Sequence, residues 1–289
     1  MTTARRLRER LAKGPVLVAP GAYDGLTARL VEQHGFEAVY MTGAGTAAAL
    51  GYPDYGLVTL TEMADNAGRL AQAVSIPVIA DADTGYGNEL NVTRTVRAYE
   101  SRGVAALHLE DQVMPKRCGH LDGKEVQPRE RYLSLIRAAV AARRNPDFVI
   151  IARTDARAVL GFDEAIARAN AALDAGADMA FVEAPGTLEE VAEVPRRVHG
   201  PCLLNVVPAG RTPLVDAKTA EAMGYRLAIF PAQLLFPVLV AADAALADLR
   251  ARGAASPPPA GIDVASLFRR LGAAEWDAVR ARGTDPDGR

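Results

Sequence analysis

Cysteine is nearly absent, with two residues, Cys118 and Cys202, among 289. Two thiols cannot build a disulfide framework, and no CxxC spacing offers a zinc site. No stretch of 18 uncharged apolar residues occurs, which excludes a membrane-spanning helix. Charge of one sign is lacking as well. The 33 Lys+Arg against 35 Asp+Glu leave a net charge of −2, with no electrostatic footprint for nucleic acid or an anionic membrane. The N-terminal MTTARRLRERLAKG is basic, but no apolar core follows, so it reads as a charged first helix and not a signal peptide. What remains is a soluble, cytoplasmic enzyme or binding protein. Its hydrophobic fraction of 49% suffices for a large core.

Short apolar or β-branched runs alternate with amphipathic stretches along most of the chain. Strands are expected at 16–20, 38–43, 77–83, 106–111, 148–154, 179–184, 202–207 and 227–232. Several are near-continuous hydrophobic runs, as parallel strands covered on both faces require. Helices are expected at Leu60–Val74, Leu90–Arg102, Pro128–Arg144 and Phe162–Ala175, among others. Gly35, Gly103 and Gly176 stand where helix C-caps would precede the next strand. Eight alternations predict a (β/α)8 barrel over residues 1–253. A doubly wound open sheet is the rival, but no GxGxxG follows the first strand. A last helix at Leu234–Arg252 leads into AASPPPAG at 254–261, a stiff extended spacer. Residues 262–289 then read as two short helices carrying Leu267, Phe268, Leu271 and Trp276, with a disordered GTDPDGR tail. This helix pair packs either on a neighbouring subunit or on its own barrel.

In a barrel, chemistry sits at the C-terminal ends of strands. The third strand ends in Asp81-Ala82-Asp83, where alternation predicts two carboxylates on one side. The fourth ends in Glu110-Asp111. Clustered hard oxygen ligands favour Mg²⁺ or Mn²⁺, unless these acids cap helices or pair with a barrel arginine. Arg153, Glu183 and Asn205 end the next three strands. Arg153 suits bidentate binding of a substrate carboxylate, while a plain Arg153–Glu183 salt bridge is the simpler alternative. Together these groups suit a small, doubly anionic 2-oxo or 2-hydroxy diacid. The loop after the fourth strand reads Pro115-Lys116-Arg117-Cys118-Gly119-His120. Its basic residues would lower the Cys118 pKa, and Gly119 and Gly123 make it flexible enough to serve as a lid. Cys202 and His108 read as packed, and His34 and His199 as surface.

These motifs together resemble the isocitrate lyase/phosphoenolpyruvate mutase superfamily, in its 2-methylisocitrate lyase and 2,3-dimethylmalate lyase-like branch. The resemblance runs from about Val16 to Pro231. It rests on Tyr40-Met41-Thr42-Gly43-Ala44-Gly45, Asp54 in YPDYG, Asp81-Ala82-Asp83, Glu110-Asp111-Gln112, the Cys118 loop, Arg153, Glu183 and Asn205. It implies a Mg²⁺-dependent carbon–carbon lyase that cleaves an alkyl-substituted 2-hydroxy diacid to pyruvate and a carboxylic acid. Carboxyphosphonoenolpyruvate phosphonomutase chemistry is the alternative. The implied metal group is Asp83, Asp81, Asp54 and Glu110. Cys118, Glu110, Arg153 and His120 would be catalytic. Tyr40, Thr42, Gly43, Ala44, Lys116, Arg117, Gly119, Arg153, Glu183 and Asn205 would hold substrate. The resemblance further implies a homotetramer with C-terminal helices swapped between subunits.

Overall fold

A computed structural model describes residues 1–283; the expected disordered tail lies outside them except for Gly283, which ends the last helix. The eight strands are β1 (Leu17–Ala22), β2 (Val39–Met41), β3 (Val78–Asp81), β4 (Ala106–Glu110), β5 (Val149–Thr154), β6 (Met179–Val182), β7 (Cys202–Asn205) and β8 (Leu227–Phe230). Each pairs in parallel with the next, and β8 returns to β1, closing a barrel. The helices between them are α1 (Thr3–Ala12), α2 (Gly25–Gln33), α3 (Gly43–Ala49), α4 (Leu60–Ala73), α5 (Glu89–Glu100), α6 (Arg129–Ala142), α7 (Ala156–Leu160), α8 (Phe162–Asp174), α9 (Leu188–Arg197) and α10 (Ala217–Met223). After β8 come α11 (Leu235–Arg252), α12 (Val264–Arg270) and α13 (Ala273–Gly283). The expected (β/α)8 architecture is therefore the observed one. Gly35, Gly103 and Gly176 take φ of +81°, +83° and +102°, the left-handed turn that lets a helix stop without a Cβ penalty.

Period-two alternation sorts the barrel into layers. Ile79, Ile151, Phe181, Leu203 and Ile229 face inward and fill the middle with Leu17, Ala19 and Tyr40. Their neighbours Leu107, Leu109, Ile150 and Ala152 face outward into the helix layer. Helix α1 places Ala4, Leu7 and Leu11 into the same inner cluster, which packs one end of the barrel. Two residues beyond the inner apolar layer, the inward positions become Asp81, Glu110, Arg153, Glu183 and Asn205. Polarity thus switches within one step of the strand repeat.

Contacts divide the chain into a unit of Met1–Leu235 and a second that begins at Phe236. Most of α11 therefore belongs with α12 and α13, past the point where the alternation of strand and helix ends. In that second unit Phe236, Leu239, Val240 and Trp276 are exposed within the chain. No helix among the described residues is long and apolar enough to cross a membrane.

Ile151 is fully buried in the inner layer. Ile151→Ala should cost about 2–5 kcal/mol, the range for truncating a core aliphatic side chain. Urea unfolding should show a lower midpoint with an unchanged slope. A midpoint equal to that of the parent protein would contradict the layer assignment.

Candidate active site

The mouth of the barrel is built from strand ends and two covering loops. Asp81 closes β3, but the strand stops there: Asp83 adopts φ of +46°, so alternation does not place it. A local bond does so instead, as Asp83 N–H donates to Asp81 Oδ1 at 2.9 Å. Gly43 is required beside this pair, because a Cβ there would stand 2.4 Å from Asp81 Oδ2. Across the mouth Lys116 Nζ bonds Asp54 and lies 2.7 Å from Asp83 Oδ1. Burial, reinforced by Asp81 and Asp54, pushes Asp83 up to about 6 despite Lys116. Burial also acts on Asp81, yet His108, Lys116 and Arg153 outweigh it and leave that carboxyl below its ordinary value.

Glu110 is buried with both carboxylate oxygens lacking a hydrogen bond, although Arg153 Nε stands 3.2 Å from Oε2. Burial raises its pKa well above the carboxylate range. The closer partner of Arg153 is Asp155, and the Glu183 ion pair is present but looser. Nε donates to Asp155 Oδ2 at 2.9 Å, whereas Glu183 Oε1 is 4.0 Å from Nη2. The guanidinium also lies over the Phe181 ring. Burial works against ionised Asp155, but Arg153 and Lys124 hold it down to about 2. Glu183 accepts from Asn205 Nδ2 at 3.1 Å, and Asn205 Oδ1 is a buried acceptor with no partner.

Residues 111–128 fold over this mouth, tied at their base by a bridge between Gln112 and Val126. Gly119 presses onto the site. A Cβ there would come within 2.4 Å of Glu183 Oε1 and 2.5 Å of Arg153 Nη2. His120 Nε2 lies 3.2 Å from Glu183 Oε1, and its Nδ1 accepts the Arg211 backbone N–H at 3.1 Å. With Nδ1 an acceptor, the other ring nitrogen, Nε2, is the one that faces Glu183. For Cys118 the expected direction is reversed. Burial, aided by Asp54 and Glu183, pushes the thiol pKa up despite a backbone hydrogen bond at His120 and the charge of Arg153. The lid's cations are engaged with carboxylates or point elsewhere, which leaves burial to set the direction.

Other expected residues are placed differently. Tyr40 lies beneath the mouth, its hydroxyl 2.8 Å from His108 Nε2. Thr42 caps α3, accepting from Gly45 N–H, and Gly43 and Ala44 form that helix's first turn. Arg117 is exposed and stacks toward Tyr55. Asp111 points out of the mouth to Thr154 Oγ1, the Asp155 N–H and Arg168. Cys202 and His108 are buried, while His34 and His199 are exposed, as read from the sequence. The residues missed are Lys124, Asp155 and Arg211. Asp155 was within reach, since it lies two positions after Arg153. Lys124 and Arg211 carry no local signal.

A divalent cation fits this mouth by donor type and charge. Asp54, Asp81, Asp83 and Glu110 supply only hard oxygens, and Glu110 has two buried oxygens with no hydrogen-bond donor. Among the described residues no three acids, histidines or cysteines already converge into a coordination set. Lys116 instead bridges Asp54 and Asp83, so a cation would take over carboxylates that now hold an ammonium.

A closed barrel with buried acids, an arginine paired with a carboxylate and a covering loop at its C-terminal mouth defines an enzyme of the (β/α)8 class. The chain matches the family described as phosphoenolpyruvate phosphomutase over residues 7–250, and it belongs to that family within the phosphoenolpyruvate mutase/isocitrate lyase superfamily. It is 50% identical to the 2,3-dimethylmalate lyase of Eubacterium barkeri over 82% of each chain. A crystal structure of 2,3-dimethylmalate lyase superposes with TM-score 0.94 at 44% identity, covering 100% of this chain and 98% of that one. Oxaloacetate acetylhydrolase also superposes with TM-score 0.94, at 43% identity, covering 99% and 98%.

Cys118 alkylation by iodoacetamide in the metal-free protein, followed by peptide mass spectrometry, should rise with a midpoint above the ordinary thiol value of 9.0. The sign follows from burial, which favours the neutral thiol, so little thiolate is present at pH 7. A midpoint below 8 would show that the basic residues dominate after all.

Proposed function

We propose that the protein is a Mg²⁺-dependent carbon–carbon lyase that cleaves an alkyl-substituted 2-hydroxy diacid of the 2,3-dimethylmalate or 2-methylisocitrate type. The carrying observation is Cys118 on a loop whose next residue, Gly119, is seated against Arg153 and Glu183, above a group of buried acids. Identity of 50% to a lyase of this type supports the same reading. Mg²⁺, held by Asp83 with Asp54, Asp81 and Glu110, would supply positive charge beside the 2-hydroxyl and its neighbouring carboxylate.

Arg153 binds the second carboxylate of the diacid, and Asn205, with its unpartnered Oδ1, accepts a hydrogen bond from the substrate. Thr42, Gly43 and Ala44 border the 2-oxo acid portion. Glu110, ionised where a divalent cation offsets its burial, takes the proton of the 2-hydroxyl. The C2–C3 bond then breaks, and C2 becomes the carbonyl carbon of pyruvate. The bonding electrons pass to the departing fragment as its enediolate. Cys118 gives its thiol proton to that carbon and regains one from solvent once the loop opens. His120 stands beside Glu183, with Nε2 3.2 Å from Oε1. Coverage by residues 111–128 excludes water, so the enediolate meets Cys118 first. The working form is a cytoplasmic homotetramer, in which the exposed apolar residues of the C-terminal unit contact neighbouring subunits.

A pyruvate-release assay with Mg²⁺ over 2,3-dimethylmalate, 2-methylisocitrate, isocitrate and alkylated malates tests this reading, with isocitrate scored by glyoxylate. Pyruvate should appear from one of the alkylated diacids, and Cys118→Ser should lose at least about 100-fold in kcat, the low end for removing a general acid, while still binding Mg²⁺ and pyruvate. Oxalate and acetate from oxaloacetate with no pyruvate from any diacid would replace the lyase with a hydrolase. Turnover of a phosphonate alone would replace it with a phosphonomutase.

A further inference from the structure

Lys124 is a buried cation of the covering loop to which the reaction assigns no part. Its side chain is 2% exposed, and Nζ reaches Asp155 Oδ1 at 2.8 Å while donating to the Gly119 carbonyl. Asp155 is fully buried, and its other oxygen, Oδ2, holds Arg153 Nε at 2.9 Å. The second guanidinium nitrogen, Nη2, is only loosely placed on Oδ1, at 3.4 Å. Two donors therefore compete for one oxygen, and Lys124 has the shorter bond. A guanidinium and a carboxylate left to themselves close into a two-bond fork. Here the fork is half open. The backbone keeps Asp155 from turning away, since its N–H is fixed to Asp111 Oδ1 at 2.8 Å and Asp111 is held by Thr154 and Arg168.

We infer that Lys124 is a positioning residue: by occupying Asp155 Oδ1 when the loop covers the mouth, it releases Arg153 Nη2 from Asp155 to a substrate carboxylate. The inference rests on the reading of Arg153 as the carboxylate receptor. Nη2 is also one of the two atoms that Gly119 crowds, because a Cβ at Gly119 would lie 2.5 Å from it and 2.4 Å from Glu183 Oε1. The same ammonium thus pulls the Cys118–Gly119 turn down and frees the nitrogen beneath it. With the loop raised, Lys124 leaves Oδ1, and Arg153 turns both donors onto Asp155. Carboxylate affinity is thereby confined to the covered state, without any contact between Lys124 and substrate.

The test reads binding without turnover, using oxalate with saturating Mg²⁺ in calorimetry. Lys124→Met should weaken oxalate about tenfold, the order of one charge-assisted hydrogen bond, with Mg²⁺ affinity unchanged. Arg153→Lys keeps a cation but has no second nitrogen to release. In that background Lys124→Met should cost less than twofold, because the two residues act as one unit. A full tenfold loss in both backgrounds would mean that Lys124 only fastens the loop, and would overturn the inference. Crystals of the ligand-free enzyme with the loop open give a second measure if Lys124→Met fails to fold. Arg153 Nη2 should then lie within 3.0 Å of Asp155 Oδ1, and a distance still at 3.4 Å overturns the competition. Parent protein that does not bind oxalate removes Arg153 as receptor and the inference with it. Oxalate binding with no pyruvate from any diacid defeats the lyase reading alone.

Discussion

The rest of the mouth depends on an unequal balance of buried charge. Six carboxylates, Asp54, Asp81, Asp83, Glu110, Asp155 and Glu183, meet three cations, Lys116, Lys124 and Arg153, and all but Asp54 are buried. Ionised groups taken from water repel one another strongly unless they are paired or protonated. The structure answers the shortfall locally. Asp155 receives two cations and stays acidic, whereas Asp83 and Glu110 are pushed toward the protonated form. A divalent cation is the other answer to the same shortfall, and it would let both acids ionise. The raised pKa values and the fit of Mg²⁺ are therefore two expressions of one constraint.

Holding like charges together takes rigid support, and the barrel supplies it through its layers. The inner residues below the acids are apolar and fully buried, and Tyr40 and His108 are the polar pair among them. Burial pushes His108 down to about 4, so it is neutral at pH 7 and adds no fourth cation. Lateral support comes from outside the barrel. Asp111 turns away from the mouth to bind Arg168 and the Thr154–Asp155 backbone, which fixes the acid that Arg153 and Lys124 share. Close backbone approaches finish the packing, with Gly43 under Asp81 and Gly119 over Arg153 and Glu183.

Much of this was legible in the sequence because the signals were local. Strands announced themselves as short apolar runs between C-cap glycines, and the inward polar residues at their ends followed from the period-two repeat. Two readings went astray where local rules stop. Alternation was extended to Asp83, although the chain leaves the strand after Asp81. Nearby basic residues in the chain were expected to lower the Cys118 pKa, but in space those residues are engaged elsewhere and burial sets the sign. The Arg153–Glu183 pair is present at 4.0 Å, and the closer partner, Asp155, lies two residues ahead of Arg153 in the chain. Lys124 and Arg211 reach the site only through the folding of their loops, and nothing in their spacing reports that.

The covering loop links coverage to charge. Residues 111–128 contribute Lys116 and Lys124, two of the three cations that face the acids, while Arg153 alone is fixed to the barrel. With the loop in place, each lysine bonds a carboxylate from a different part of the barrel unit: Asp54 and Asp83 for one, Asp155 for the other. Removing the loop would therefore expose the site and strip most of its positive charge in a single motion. A mouth that is both open and strongly negative is poorly suited to a dianionic substrate, so affinity for such a substrate and exclusion of water belong to one conformation. That coupling arises because two of the three cations sit on the loop and all six acids lie outside it, and it would be lost if they changed places.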